Sequence, residues 1–287
     1  MIIDIHTHTF PPGIAKAALL SMQGNSHSAL YSDGTESGLR QSMNQAGIGL
    51  SVVQPVATNP EKISHINDKV LAVNRTTPET GICSFGAMHP ASKDSEAELE
   101  RLASAGVKGI KLHPCYEAID IDDPRTVAIL RKCRDLGLIV LIHSGWDIGL
   151  PGSAAALPVK IRRALDLTGE MKLIAAHMGG WKSWEEAVKL LPETGIFLDT
   201  AFSLGRITRA PGDSHWTDEE LEMLSPAVFC DLVRLFGDER ILFGTDSPWT
   251  DQKEEIQKIK DLPLTQEEIS TILSNNAKRL LGLYENG

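Results

Sequence analysis

Two histidines stand two residues apart in the opening MIIDIHTHTF, at positions 6 and 8. Imidazole titrates near neutral pH and is the commonest protein ligand for a zinc-like metal, so a close pair points to acid–base chemistry or to metal binding. The other chemically able residues recur in one kind of setting. His113 closes VKGIKLH, His143 closes LIVLIH and His177 closes KLIAAH, while Asp199 lies near the end of IFLDT and Asp246 ends ILFGTD. His89 follows ICSFGAM, and only His27, His65 and His215 lie away from such runs. Singly, each has an ordinary explanation: a lone histidine at a strand end is usually a satisfied polar group, and Asp246 could cap the turn that Ser247-Pro248 begins. His6, His8, His143, His177 and Asp246 all standing at the ends of such runs would require five coincidences.

The runs themselves must position these groups. Eight stretches read as strands: 2–6, 49–56, 82–88, 107–113, 138–143, 172–177, 196–200 and 241–246. They are rich in Val, Ile, Leu and Phe and mostly continuous, as suits strands covered on both faces. Helical patterns alternate with them, at 37–46, 61–77, 95–105, 124–136, 158–167, 183–191, 226–236 and 253–260, and two short helices at 264–283 close the chain. Asp123-Pro124 is an N-cap followed by proline at the first helical position. Ser183 and Glu186 have the spacing of a capping box, and Gly47, Gly106 and Gly137 stand where helices should stop. Alternating strands and helices predict an α/β fold, a single (β/α)8 TIM barrel forming one domain over 1–287. A doubly wound sheet is the rival, but its glycine-rich loop after the first strand is missing. Segments 9–33, 144–157 and 201–222 read as loops over one mouth of the barrel.

In a barrel enzyme the chemistry sits at the carboxyl ends of the strands. Residues i and i+2 of a strand share a face, so His6 and His8 both face the axis, close enough to hold one ion. His143, His177 and Asp246 reach the same mouth from the fifth, sixth and eighth predicted strands.

The bulk properties bound the partners. With 28 basic and 38 acidic residues the formal net charge is −10, which leaves no electrostatic footprint for nucleic acid or an anionic membrane. The apolar N-terminal core of a signal peptide is missing, and the longest apolar runs are too short to span a bilayer. The four cysteines (83, 115, 133 and 230) form no CxxC pair, which fits a reducing compartment. These features predict a soluble, cytoplasmic globular protein.

The quoted residues lie in a series of motifs: DIHTH (4–8), GIKLHP (109–114), LIHSG (141–145), AAHMGG (175–180), FGTDSPW (243–249) and NNAKRLLGL (275–283). In order and spacing the series resembles the amidohydrolase superfamily, and more closely the amidohydrolase-related family that includes aminocarboxymuconate-semialdehyde and γ-resorcylate decarboxylases. The resemblance implies a divalent metal held by His6, His8, His143 and Asp246. It implies that His177 either joins the metal or stands beside it as an acid/base, the latter being usual among the decarboxylase-like members, and it suggests a homodimer. Zn²⁺ suits the histidine-rich set, and Mn²⁺ or Fe²⁺ would fit it too. One ion is expected. A second would require Lys111 to become a bridging carbamate; Lys111 could instead bind a substrate carboxylate or pair with a buried acid such as Asp4.

His113 is expected to line the pocket. Trp146, Trp181 and Trp249, directly after strand ends, could wall it around a flat substrate or simply pack the rim. Arg206, with Arg209, could clamp an anion or be solvated. Cys115 is read as filler. The leading expectation is hydrolysis of a C–N or C–O bond by metal-activated water, with Asp246 and His177 moving protons. The alternative is non-oxidative decarboxylation of a small carboxylated ring or enal on the same metal. A metal-dependent nuclease is disfavoured by the acidic charge. A non-catalytic barrel is disfavoured by the expense of burying converging histidines without a ligand.

Overall fold

The structure, a computed structural model, describes residues 1–283. Its strands in chain order are β1 (Ile2–Thr7), β2 (Ile48–Val53), β3 (Ile82–Ser84), β4 (Gly86–Ala87), β5 (Gly109–Leu112), β6 (Ile139–Ile142), β7 (Leu173–Ala175), β8 (Phe197–Asp199) and β9 (Ile241–Leu242). Helices intervene between them except between β3 and β4, as crossovers between parallel strands require. The chain divides into two compact units: Met1–Val52 with the chain from Asp199 onward, and Val53–Leu198.

In the first unit β1 lies beside β2, and the Thr7 hydroxyl donates to the Val52 carbonyl at 3.0 Å. On its other side, Ile5 N–H donates to the Phe243 carbonyl at 2.9 Å and His8 N–H to that of Ser247 at 2.7 Å, while Thr200 N–H donates to the Leu242 carbonyl at 3.0 Å. Segments 199–200, 241–247, β1 and β2 are therefore neighbours in that order. Nearly all of β1 is buried, but its two faces differ. Ile3 and Ile5 are wholly covered core residues, while Asp4 and His6 bring polar groups to the opposite face.

In the second unit β4, β5, β6, β7 and β8 follow one another in order, each parallel to the next. Leu112 pairs with Ile142, so His113 and His143, the next residue of each strand, emerge side by side. The predicted strand 82–88 is broken at Phe85 into β3 and β4. Two asparagines of helix Ile63–Arg75 hold the pieces. Asn74 accepts from Ser84 N–H and donates to its carbonyl, and Asn67 does the same for Ala87. Side-chain amides replace ladder bonds there.

Most predicted helices appear within one or two residues, and Pro226–Phe236 agrees at both ends. Asp123 caps its helix by accepting from Arg125 N–H at 2.8 Å. Two expectations need correcting. Segment 9–33 is not all loop, for it carries the helix Pro12–Ser26, which buries only Ala15, Leu19 and Ser26 and so lacks a readable apolar stripe. Ser183 precedes its helix but forms no capping box, and its buried hydroxyl has no hydrogen-bond partner. A box forms instead at Thr217 and Glu220 in segment 201–222. The closing helices, Gln266–Ser270 and Asn276–Leu281, are joined by a π-turn over Thr271–Asn275. Among the described residues no helix is long and apolar enough to cross a membrane.

Candidate functional site

In the first unit three predicted ligands converge. His6 Nε2 lies 3.2 Å from His8 Nε2, and Asp246 Oδ1 lies 3.5 Å from the former and 3.1 Å from the latter. Two donors each about 2.1 Å from one zinc-like ion, at a tetrahedral angle, stand about 3.4 Å apart. The triangle therefore fits a single cation. The strand explains how it arises: His6 and His8 point to one face of β1, and Asp246 arrives along the neighbouring segment, its N–H donating to the His6 carbonyl at 2.8 Å. Asp246 takes φ +63°, a left-handed conformation that costs about 1 kcal/mol or more outside glycine and marks a position held by its surroundings.

Behind the triangle, His6 Nδ1 lies 2.9 Å from Asp199 Oδ2. The wholly buried carboxylate accepts the Nδ1 proton and leaves Nε2 as a lone pair aimed at the triangle, which is how outer carboxylates commonly orient ligating histidines. Asp199 is itself fixed, accepting from Ala201 N–H at 3.1 Å. Deeper still, burial pushes the Asp4 carboxyl up to about 7, against hydrogen bonds from Thr245, Gln252 and His6 N–H that pull the other way. Trp249 sets its ring edge against His8, centroids 5.3 Å apart at 71°.

The second unit brings His143 and His177 together, His143 Nδ1 lying 3.1 Å from His177 Nε2. His143 Nε2 is 3.0 Å from the Trp146 carbonyl. A carbonyl only accepts, so Nε2 carries the proton, Nδ1 offers a lone pair, and His177 Nε2–H donates to it. His177 takes φ +58° and Met178 φ +53°, and the His177 carbonyl is held by Trp184 Nε1–H at 2.9 Å. His113 stacks on His143, centroids 4.3 Å apart at 11°. Asp147 Oδ2 lies 3.4 Å from His113 Nε2 and 3.6 Å from His143 Nε2.

Lys111 is buried on β5, and its positive charge acts on Glu117, where burial nonetheless pushes the carboxyl up to about 8. Glu117 Oε1 accepts from His113 N–H at 2.6 Å, and its other oxygen has no hydrogen-bond partner.

The remaining predicted residues fall out differently. Trp146 and Trp249 are half-buried. Trp181 is buried and built into the backbone, its N–H donating to the Ser144 carbonyl while its carbonyl accepts from Trp146 N–H. Arg206 is not an open clamp: Asp218, which it shares with Arg209, and Glu222 at 3.8 Å engage it from its own loop. Cys115 is buried, which raises its thiol, as suits filler. The sequence reading missed Asp199, Asp147 and Glu117 as partners of the histidines. Asp199 at a strand end and Asp147 four residues after His143 were the available signals.

The Amidohydrolase family model matches residues 3–283. A curated relative, 2-amino-3-carboxymuconate-6-semialdehyde decarboxylase of Dictyostelium discoideum, is 24% identical over 248 residues, covering 77% of this chain and 67% of the relative. Among solved structures, an uncharacterized TIM-barrel protein of Bordetella bronchiseptica superposes with TM-score 0.70 at 20% identity, covering 98% of both chains. A dihydroxybenzoic acid decarboxylase of Polaromonas, solved with bound manganese and the inhibitor 2-nitroresorcinol, superposes with TM-score 0.67 at 14% identity, covering 98% of this chain and 97% of that one. The fold is therefore the α/β TIM barrel, and the chain is an enzyme belonging to the metal-dependent amidohydrolase family.

Proposed function

We propose that this enzyme is a metal-dependent, non-oxidative decarboxylase of a small carboxylated aromatic or enal substrate. The observation that carries the reading is the sequence similarity to a decarboxylase of that class over most of the chain. It displaces hydrolysis as the leading reading, which keeps support only from the family as a whole.

His6, His8 and Asp246 would hold the ion, and the family resemblance implies His143 as a further ligand. When bound, the ion supplies positive charge for a substrate oxygen and for the electron density left behind as CO2 departs. The chain's residues do the rest. Asp199 fixes the His6 tautomer. His177 acts as the acid that gives a proton to the carbon losing CO2, so that R–COO⁻ and H⁺ become R–H and CO2. Asp246 shares in proton handling beside the ion. Trp249, beside the triangle, offers a flat apolar face to the substrate; in the Val53–Leu198 unit Trp146 offers another, and Lys111 and His113 supply polar groups. Zinc suits three histidines and a carboxylate, and manganese is the ion held by the Polaromonas neighbour. One domain, a homodimer and a cytoplasmic location complete the proposal, and the single family model across 3–283 supports the first of these.

The test is CO2 release from 2,6-dihydroxybenzoate and related ring acids by enzyme loaded with Zn²⁺ or Mn²⁺. Release that stops with a chelator and falls at least a hundredfold in His177→Asn supports the reading. Opening of a lactone by the same preparation, with no CO2 from any acid tried, would return the enzyme to hydrolysis.

A further inference from the structure

The Val53–Leu198 unit contains a carboxylate that the proposed reaction does not use. Asp147 lies between two buried histidines, 3.4 Å from His113 Nε2 and 3.6 Å from His143 Nε2, with its side chain 9% exposed. Two histidines and an aspartate could themselves be a metal site, but the rings argue otherwise. An ion bonds imidazole along the lone pair, in the plane of the ring. Rings lying face to face with centroids 4.3 Å apart at 11° have no common in-plane point, so one ion shared by both nitrogens would sit well out of each plane. His143 Nε2 is also already protonated toward the Trp146 carbonyl at 3.0 Å. A carboxylate placed between the two edges makes no such directional demand, because charge attraction acts at any angle.

Asp147 is itself held firmly. Its Oδ1 accepts from Gly149 N–H at 2.8 Å. The chain leading to it is pinned by Gly145 N–H to the Ala156 carbonyl at 2.8 Å and by Trp146 N–H to the Trp181 carbonyl at 3.0 Å. Gly145 is required for this approach. It takes φ +91°, and a Cβ there would lie 2.3 Å from Trp181 N and 2.4 Å from Trp181 O. A carboxylate is thus presented, on a rigid support, to the Nε2 edge of a histidine whose Nδ1 is the lone-pair atom.

We infer that Asp147 is a positioning residue: it holds the His113–His143 stack and polarises the His143 Nε2–H, fixing the tautomer in which Nδ1 is offered to the metal. This rests on the proposed role of His143 as a ligand. Carboxylates in such outer positions raise the basicity of the ligating nitrogen and set the ring's orientation.

The test uses full-length Asp147→Asn, which keeps an oxygen for Gly149 N–H and removes the charge, with His143→Ala as reference. Zn²⁺ affinity is measured by competition with a chromophoric chelator. Long-range ¹⁵N–¹H spectra of histidine-labelled, metal-free protein read the tautomer. The expected result is affinity weakened about 10- to 100-fold in Asp147→Asn, with His143 passing from the Nε2–H form to a mixture. Unchanged affinity and tautomer in Asp147→Asn, beside weakened binding in His143→Ala, would overturn the inference and leave His143 a ligand. Unchanged binding in both variants would remove His143 from the ligand set, and this inference with it.

Discussion

Two clusters in this chain have the same composition, two histidines and an aspartate, and opposite geometry. In the first, the rings of His6 and His8 meet at 60° and their Nε2 atoms point at one place with Asp246. In the second, His113 and His143 lie face to face at 11°. The cause is where each pair sits on its sheet. His6 lies on β1 and His8 one residue past its end, two residues apart, so they stand one behind the other on a single face and can tilt toward a common point. His113 and His143 follow in-register residues of adjacent strands. They therefore sit about one strand spacing apart, about 4.8 Å, and stack. Convergence makes a metal triangle; stacking makes a polar support.

Removing a member of the triangle should have the largest effect. His8→Ala or Asp246→Ala is expected to lower Zn²⁺ affinity and turnover each on the order of a thousandfold, read by chelator competition and CO2 release. His113→Ala, in the stack, should leave zinc bound within about tenfold. A loss in His113→Ala equal to that in His8→Ala would erase the distinction between the triangle and the stack.

A smaller loss should follow from the outer carboxylate of the triangle. Asp199→Asn keeps the shape but can present an amide N–H to His6 Nδ1 in place of an acceptor. Zinc affinity is expected to fall about 10- to 100-fold. Melting of the metal-free protein should also drop, because a buried hydrogen bond to a charged group contributes about 1.5–3 kcal/mol. If the metal-free melting point falls while zinc affinity holds, Asp199 serves the fold and not the ion.

The ends of the runs were legible because a parallel sheet gathers all its carboxyl termini, so DIHTH, LIHSG, AAHMGG and FGTDSPW announced the histidines and Asp246 without any knowledge of contacts. The partners were not legible for the same reason in reverse. Asp199 meets His6 from 193 positions away, and nothing local in IFLDT says which residue it serves. Asp147 was closer to view, but the spacing from His143 reads as a loop acid until the in-register pairing of Leu112 with Ile142 brings His113 alongside. Arg206 shows the opposite failure. A loop arginine looks available in sequence, yet Asp218 and Glu222 from the same loop engage it.

The support under the stack can be tested without metal. Gly145→Ala places a methyl 2.3 Å from a backbone nitrogen at a φ of +91°, so backbone must move. The expected destabilisation is about 3 kcal/mol or more, near 6 °C or more in melting temperature for a chain of this size. A melting temperature within 1–2 °C of wild type, taken as roughly the effect of an ordinary surface change, would mean that segment 144–147 is not rigidly held.

The smallest expected effect separates the clusters by pH. Glu117, whose Oε1 accepts from His113 N–H, is pushed by burial from an ordinary 4.5 to about 8, with Lys111 acting in the opposite direction. Between those values the folded chain keeps a proton that the unfolded chain has lost, so stability falls as the pH rises from about 4.5 to about 8. Glu117→Gln does not titrate and removes that slope. Melting curves of the two proteins should nearly coincide near pH 4.5, and the wild type should lose a few degrees relative to the variant by about pH 8. The triangle should contribute nothing to this difference, since both proteins carry it unchanged. Parallel curves across the whole range would mean that Lys111 holds Glu117 ionised throughout, and the stack would then rest on a buried ion pair in place of a neutral acid.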